Sequence, residues 1–496
     1  MKIYFINPPF KGEYGKFSRE SRSPSIGHSG VLYYPLWLIY AAAYCEKKGF
    51  EIEFLDAPAK RLSSDESLSV IESKGAGTKL FVIDTSTPSI FSDVAFCDAL
   101  KSHFPQTFIC LVGTHPTATV EETMAISPSV DGIARKEYDQ IVFDLATALE
   151  KGNPLASVKG LSYRSQNVIV NNPDADYITD LDEIPFASKF IKERLDVRDY
   201  VFPAASYPAI QIFTGRGCPA HCNFCVYPQV MHGHIYRKRS PQNIIEELSY
   251  VSQVFPAVKE IVFEDDTFTI DKPRIIEFSK LMVSTKLNKR FKWLCNARVG
   301  LDYETMVAMK KAGCRLIIPG IESFDQDILN NIKKGTTISG IERYVKDAHK
   351  AHLLIHACYM VGNKGETKET MEKTLAAAMR FKTDTAQFFP LIPYPGTEAY
   401  QWAKTNGYIT KGYKDYCAED GTLNCVLEEP GLSSKELVDF CAYARKKYYW
   451  RPWYIGHRLW EGLKHPSDLK RSLKGFKVIK KSLFKANSKK DPTLEK

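Results

Sequence analysis

Short apolar runs alternate with helical patterns along the first 150 residues of the chain. One helical stretch runs from Pro35 to about Lys48 and is followed by Gly49, with proline at its start and glycine after its end as α-helices prefer. Strands that alternate with helices are typical of a doubly wound parallel sheet. The pattern therefore predicts an N-terminal α/β domain over residues 1–150, with strands at residues 2–6, 51–55, 79–84, 107–113 and 130–134.

A second alternation begins near residue 209, after a segment of different character. Residues 151–205 hold two short apolar runs around a polar turn and then a connector rich in proline and aspartate, which predicts a hairpin and a linker. A complete barrel needs eight strand–helix units. The six that follow predict an open, partial (β/α)6 barrel over residues 206–406, with strands at residues 209–214, 260–264, 292–297, 315–322, 353–361 and 385–393.

Positive charge is concentrated in the C-terminal region, residues 407–496, which we predict to be helical. The chain has a net charge of +9, but residues 445–496 alone hold 16 Lys or Arg and 4 Asp or Glu, a net of +12, which leaves −3 for the other 444 residues. Apolar residues of this basic tail recur at helical spacing among lysines and arginines, at Leu469, Leu473, Phe476, Ile479 and Leu483. A basic amphipathic helix of this kind lies on anionic membranes, with aromatics at 448–460 as interfacial anchors. The alternative is a helix packed on the barrel with its basic face in solvent.

The chain has no apolar stretch of the roughly 20 residues that a membrane span requires. Its N-terminus also lacks the hydrophobic core and cleavage site of a secretory signal. We therefore expect a cytoplasmic protein that associates peripherally with the inner face of the membrane. The nearly neutral body of the chain argues against a nucleic acid as partner.

The cysteines predict a metal centre. Twelve cysteines in a chain without a secretory signal favour reduced thiols or metal ligands over disulfides. Cys218, Cys222 and Cys225 lie in the loop after the first strand of the second alternation. Iron–sulfur clusters are held by thiolates, normally four for a [4Fe–4S] cluster, so three would leave one iron open. The alternative is a zinc site completed by a nearby histidine, namely His221, His232 or His234.

The motif Cys-x3-Cys-x2-Cys, with Phe224 before its last cysteine, opens a partial barrel and so resembles the radical S-adenosylmethionine (SAM) superfamily. The resemblance implies a [4Fe–4S] cluster on Cys218, Cys222 and Cys225, whose open iron binds the amino and carboxylate groups of SAM. It further implies that an electron from the cluster cleaves SAM to a 5′-deoxyadenosyl radical, with a flavodoxin- or ferredoxin-type protein as reductant.

The same resemblance extends to the ends of the later barrel strands. It implies SAM contacts at Phe224, Glu264, Asp265, Asp266, Arg298, Glu322, Ser323 and Gly362. Each carboxylate alone would more often be structural, but together they fall on the face where barrels keep their active sites. Residues 362–367 depart from the family pattern Gly-x-Pro-Gly-Glu-Thr, because Lys364 replaces the proline. This departure bears on the conformation of the loop.

The N-terminal domain resembles the cobalamin-binding, Rossmann-type domain that is fused to many radical SAM proteins. The resemblance rests on Asn7-Pro-Pro, the Ser/Thr-Pro loop at 85–89 and Val112-Gly-Thr-His-Pro-Thr. Ligands of doubly wound sheets bind beyond the carboxyl ends of the strands. The implied cobalamin contacts are Asn7, Thr85, Ser86, Thr87, Gly113, Thr114 and His115. The motif Asp-x-His-x-x-Gly is absent, so cobalamin would bind without a cobalt-ligating histidine from it.

Within this family the chain is most similar to hopanoid-associated proteins of the bacteriohopanetetrol cyclitol ether synthase branch. The stretches that carry this similarity include Leu55-Asp-Ala-Pro, Tyr227-Pro-Gln and Glu264-Asp-Asp-Thr-Phe-Thr. It implies a radical rearrangement, such as a ring contraction, or another modification of a lipid-linked sugar head group. Two alternatives remain open, a cobalamin-dependent radical SAM C-methyltransferase and a metal-binding protein without catalysis.

Overall fold

The computed structural model describes residues 1–27 and 30–464. The N-terminal part is built on a seven-stranded sheet of order β4-β1-β5-β6-β7-β8-β9. Strands β4, β1, β5, β6 and β7 are parallel to one another, whereas β8 and β9 pair antiparallel. A small hairpin, β2–β3, stands apart from it. The strands are β1 Lys2–Asn7, β2 Lys16–Ser18, β3 Ser25–Gly27, β4 Glu51–Asp56, β5 Thr78–Asp84, β6 Phe108–Val112, β7 Gly132–Ala134, β8 Leu161–Ser165 and β9 Val168–Asn171.

The second part is a six-stranded, fully parallel sheet of order β10-β13-β14-β15-β16-β17. Its six strands coincide with the six apolar runs of the sequence, so the predicted α/β fold with a partial barrel is confirmed. The strands are β10 Ala209–Ile212, β11 Gly215–Arg216, β12 Arg237–Lys238, β13 Glu260–Phe263, β14 Lys292–Ala297, β15 Cys314–Glu322, β16 Leu354–Val361 and β17 Thr385–Pro390, of which β11 and β12 form a separate ribbon.

Helices cover both faces of the first sheet and the outside of the second. A short π-helix, Tyr227–His232, follows the cysteine loop. The α-helices are α1 Leu36–Lys47, α2 Ala57–Lys60, α3 Ser64–Lys74, α4 Ile90–His103, α5 Thr114–Ala118, α6 Val120–Ile126, α7 Asp139–Lys151, α8 Ala187–Arg194, α9 Pro241–Val254, α10 Lys272–Ser284, α11 Leu287–Arg290, α12 Tyr303–Lys311, α13 Gln326–Asn331, α14 Ile338–Lys350, α15 Lys368–Phe381, α16 Glu398–Thr405, α17 Ser434–Tyr449 and α18 Pro452–Lys464.

Helix α1 joins the two parts. Residues 36–45 are buried all round, as expected for a helix that is apolar on every face. One side of α1 packs on α7 and α8. On the other side the Trp37 ring lies 4.4 Å from the ring of Phe213, at the end of β10. The two sheets therefore share one continuous core.

The hairpin of the predicted linker belongs to the first sheet. Strand β8 pairs antiparallel with β7, so that β8 and β9 extend the sheet to residue 171. The sequence predicts the hairpin itself, but it does not show that the hairpin pairs with β7.

The prediction that residues 407–496 are helical is wrong for residues 407–433, which form turns, isolated β-bridges and one 3-10 turn, Tyr413–Tyr416. The described part of the region is helical from α17 onwards, and α17 packs against β17. Tyr448, Tyr449 and Tyr454 donate hydrogen bonds to backbone carbonyls of residues 383–386. Three of the aromatics predicted to be membrane anchors therefore hold α17 and the start of α18 on the barrel. Trp450, Trp453 and Trp460 are exposed. The apolar stripe at 469–483 lies outside the described residues. None of the described helices is long and apolar enough to cross a membrane.

Candidate active site

The cysteine loop follows β10 and is shaped by glycine. Gly217 has φ +81°, and a Cβ at this position would lie 2.3 Å from the carbonyl oxygen of Ile235. Glycine alone allows this approach. The adjacent Cys218 and the second cysteine, Cys222, are buried, whereas Cys225 is partly exposed. The tight turn thus brings three unbridged thiols to the mouth of the barrel.

Gln229, on the π-helix, holds the loop in place. Its amide nitrogen donates to the carbonyl oxygens of Cys222, Asn223 and Cys225 at 3.1, 3.1 and 3.0 Å. Its oxygen accepts a hydrogen bond of 2.9 Å from the backbone of Glu398, after β17. Insertions of π-helix are frequent at functional sites. The sequence pattern gave no signal for this residue, because its partners are backbone atoms.

The histidines offered as zinc ligands have other partners. His232 Nδ1 lies 2.8 Å from a carboxylate oxygen of Asp266. His234 Nδ1 lies 3.0 Å from the Ala220 carbonyl, and its ring stacks on that of His221 at 4.2 Å. Across residues 1–27 and 30–464, no three His, Cys, Asp or Glu side chains are grouped as ligands of one metal ion.

The chemistry of the donors fits a [4Fe–4S] cluster, because one short loop carries three thiols and two guanidinium groups nearby would offset the charge of thiolates. Arg298 Nη1 donates to Cys222 Sγ at 3.4 Å. Burial raises the pKa of Cys225 to about 12, and the nearby charge of Arg22 acts against this rise. Iron binding would supply the remaining stabilisation of the thiolates.

The three carboxylates after β13 have different surroundings. Asp265 is fully buried and accepts hydrogen bonds from the backbone N and the Oγ1 of Thr214 at 2.5 and 2.6 Å. It therefore positions the start of the cysteine loop and does not face the barrel opening. Glu264 faces the barrel interior, where Gln211 donates to it at 3.2 Å, and burial raises its pKa. Asp266 is held by His232.

The predicted SAM contacts at the ends of β15 and β16 also fall into two groups, those near the cysteine loop and those with structural partners. Glu322 has φ +66° and forms a buried ion pair of 2.7 Å with Lys334, a residue that the sequence did not single out. The Lys334 ammonium lies 5.7 Å from the ring centre of Phe224. By contrast, Ser323 Oγ lies 3.3 Å from Thr374 Oγ1 on α15. Gly362 packs under a leucine of α17. Glu322 and Phe224 thus lie near the cysteine loop, while Ser323 and Gly362 have structural partners.

A cleft lies between the carboxyl ends of the first sheet and the π-helix that follows the cysteine loop. Its wall on the first sheet includes four predicted cobalamin contacts, Thr85, Thr87, Gly113 and Thr114. Asp84 and Tyr138 also line it, and within the described chain Asp84 Oδ2 and the Tyr138 hydroxyl are buried without a hydrogen-bond partner. Buried polar groups normally have partners. The unpartnered groups therefore fit a polar ligand such as the amide-bearing ring of cobalamin.

The other three predicted cobalamin contacts lie outside the wall of this cleft. The Asn7 amide donates to Asp56 at 2.9 Å and accepts from Arg19 at 2.7 Å. Ser86 Oγ lies 2.9 Å from Ser89 Oγ. His115 is buried, and burial lowers its pKa to about 3, so its imidazole is neutral. These three side chains support the loops around the cleft.

A buried ion cluster ties the cysteine loop to the first domain. Arg216, two residues before Cys218, donates to both carboxylate oxygens of Asp139 at 2.8 and 3.0 Å and to Glu137 at 3.3 Å. Its guanidinium lies 4.7 Å from the ring centre of Trp37. Arg237 also pairs with Glu137, at 2.8 Å. The position of the cysteine loop therefore depends on the first domain.

Known proteins match both parts of the chain. Residues 212–378 match the model of the Radical SAM superfamily. An uncharacterized methyltransferase of Pyrococcus horikoshii is 29% identical, and the alignment covers 96% of this chain and 98% of that protein. Anaerobic magnesium-protoporphyrin IX monomethyl ester cyclase of Cereibacter sphaeroides is 25% identical over 86% of this chain and 69% of its own length.

Solved structures show the same two-part fold. The radical SAM methyltransferase TsrM from Kitasatospora setae, solved with cobalamin and a [4Fe–4S] cluster, has a TM-score of 0.67 at 15% identity, over 90% of this chain and 88% of that one. The cobalamin-dependent radical enzyme OxsB has a TM-score of 0.62 at 15% identity, over 90% of this chain and 61% of that one. The similarity to the hopanoid branch is not supported by these matches. The chain is an α/β enzyme whose residues 212–378 form a radical SAM domain.

Proposed function

We propose that this enzyme is a cobalamin-dependent radical SAM methyltransferase that methylates a carbon atom of its substrate. The observation that carries the proposal is the cleft that has the strand ends of the first sheet on one side and the π-helix after the cysteine loop on the other. A methyl group can pass between two cofactors only if their sites open into one another. The similarity to the P. horikoshii protein and to TsrM, both methyltransferases, also supports it.

In this proposal the residues of the cleft and of the neighbouring cysteine loop have separate tasks. When bound, the cluster and SAM supply radical chemistry and cobalamin supplies the methyl group. The three cysteines bind the cluster, and Arg298 offsets its charge. The carboxylates of Glu264 and Asp266 would accept hydrogen bonds from the amino group of SAM. The first domain closes the cleft against water, which protects reactive species from side reactions.

We expect S-adenosylhomocysteine to form only when cobalamin is present. The reduced, cluster-loaded full chain is incubated with SAM and a cell extract, with or without hydroxocobalamin, and nucleoside products are measured by mass spectrometry. Methyl transfer predicts S-adenosylhomocysteine beside 5′-deoxyadenosine, together with a product heavier by one methylene. 5′-Deoxyadenosine alone, unchanged by cobalamin, would contradict methyl transfer and favour rearrangement.

Two glycines provide matched variants for a measurement of cobalamin affinity. Gly113 has φ +117°, and a Cβ there would lie 2.2 Å from the Thr85 carbonyl, between the two loops that line the cleft. Gly152 has φ +69° but no neighbour within 4 Å. Gly113→Ala should therefore displace these loops and weaken cobalamin binding at least tenfold, whereas Gly152→Ala adds only local backbone strain. Equal cobalamin affinity of the two variants would argue against this site.

We also propose that the basic tail binds anionic membranes, which would favour a lipid-linked substrate, such as a sugar head group, as the second candidate. The expected result is salt-sensitive sedimentation of the full chain with anionic vesicles, since exposed charges are screened beyond about 8 Å at physiological ionic strength. The control chain ends at Lys464 and keeps the tyrosines that pack on β17. Equal binding of both chains, or equal binding to zwitterionic vesicles, would remove the case for the tail.

A further inference from the structure

Arg22 enters the barrel mouth from the first domain. It lies between β2 and β3, and its Nη2 donates to the backbone carbonyl of Asp265 at 3.0 Å. The guanidinium carbon lies 5.7 Å from the ring centre of Tyr227, which follows the cysteine loop. Arg22 lines the cleft between the two domains, where it is enclosed by protein groups but keeps part of its surface open to the cleft. The first domain therefore places a permanent positive charge beside the cysteine loop.

The charges around Arg22 complement an amino acid head group. Burial by itself would lower its pKa, but Glu264, Asp266 and the Cys225 thiol raise it above the ordinary value. An α-amino acid carries an ammonium and a carboxylate on one carbon atom. Two carboxylates beside a guanidinium match both groups, and charge-assisted hydrogen bonds of this kind are the strong ones.

Two other cations near the loop already have partners. Arg298 donates to Cys222 Sγ and to the Lys334 carbonyl, and Lys334 pairs with Glu322. Among the described residues, the Asp265 carbonyl is the only hydrogen-bond partner of the Arg22 guanidinium. A guanidinium has five N–H donors in a planar fork. Arg22 thus has donors left for a ligand in the cleft.

We propose that Arg22 binds the carboxylate of SAM, so that the first domain completes the SAM site of the barrel. The assignment rests on the proposed function, in which Glu264 and Asp266 accept hydrogen bonds from the amino group of the same head group. It also gives a reason for the short segment between β2 and β3, whose Arg19 is anchored on Asp93 of the first domain. Docking of the two domains and SAM binding would then depend on one another.

The test compares SAM with decarboxylated SAM. Dissociation constants of both compounds are measured by equilibrium dialysis for the cluster-loaded full chain and for Arg22→Gln, Arg22→Lys and Arg61→Gln, the last an exposed arginine of the same domain. We expect Arg22→Gln to weaken the binding of SAM about tenfold or more and to leave the binding of decarboxylated SAM unchanged. The SAM affinity of Arg22→Lys should fall between those of the wild type and Arg22→Gln, since lysine keeps the positive charge but lacks the planar pair of N–H donors. Arg61→Gln should match the wild type.

Two results would overturn the assignment. One is equal SAM affinity of Arg22→Gln and the wild type. The other is an equal loss for both compounds, which would mean that Arg22 acts on the shape of the cleft or on another ligand. Iron content, measured in parallel, should stay the same in all variants. Wild-type protein that binds iron but no SAM would instead overturn the proposed function.

Discussion

Replacement of Cys218, Cys222 or Cys225 by alanine is expected to remove the iron of the protein and to abolish reductive cleavage of SAM. The wild-type chain, purified without oxygen, should be brown and bind about four irons, and a site with three thiolates has no spare ligand. The loop itself is held by Gln229 and by backbone hydrogen bonds, so the variants should remain folded. Iron and sulfide analysis and 5′-deoxyadenosine formation measure the two effects.

A buried cysteine remote from the loop provides the control. Cys97 lies in α4 of the first domain, and burial raises the pKa of its thiol well above the ordinary value. Cys97→Ala should therefore keep its iron and its activity, although it leaves a small cavity. A colourless wild-type protein with one zinc per chain, indifferent to reductants, would favour the zinc alternative instead.

The positions of the parallel strands along the chain could be predicted, because buried strands occur in the sequence as short apolar runs between helices. The run at 292–297 is β14 itself, and the run at 260–264 differs from β13 only at its end. The position of the hairpin β8–β9 could not be predicted in the same way. The two strands of a hairpin pair with each other, but their outer edges keep unpaired backbone N–H and C=O groups. Which sheet edge pairs with these groups depends on the three-dimensional fold.

The candidate site was predicted where one loop carries the chemistry, and missed where distant segments meet. Cysteine spacing predicts the cluster ligands, but Arg22 lies 243 positions from Asp265 in the sequence, so no local pattern links the two. The sequence also places Glu264 and Asp265 side by side after β13, but it does not show which partners they contact. Glu264 accepts a hydrogen bond from Gln211 and Asp265 accepts hydrogen bonds from Thr214, a difference that no motif records.

Replacement of Arg216 by methionine is expected to destabilise the protein by about 3–5 kcal/mol, the usual cost of removing one partner of a buried ion pair. The side chains of Arg216 and Asp139 are each only 2% exposed. Glu137 would keep Arg237 as its partner, whereas Asp139 would lose the bidentate pair described above. An uncompensated buried carboxylate costs far more than the lost contact itself.

The measurement is urea unfolding, followed by tryptophan fluorescence, because Trp37 stacks beneath the Arg216 guanidinium. Arg198→Met is the matched control, since Arg198 is 74% exposed and pairs with Asp196 at the surface, and it should cost less than about 1 kcal/mol. Asp139→Asn in the Arg216→Met background removes the stranded charge and should restore part of the loss. If Arg216→Met and Arg198→Met unfold at the same urea concentration, the ion cluster does not hold the cysteine loop on the first domain.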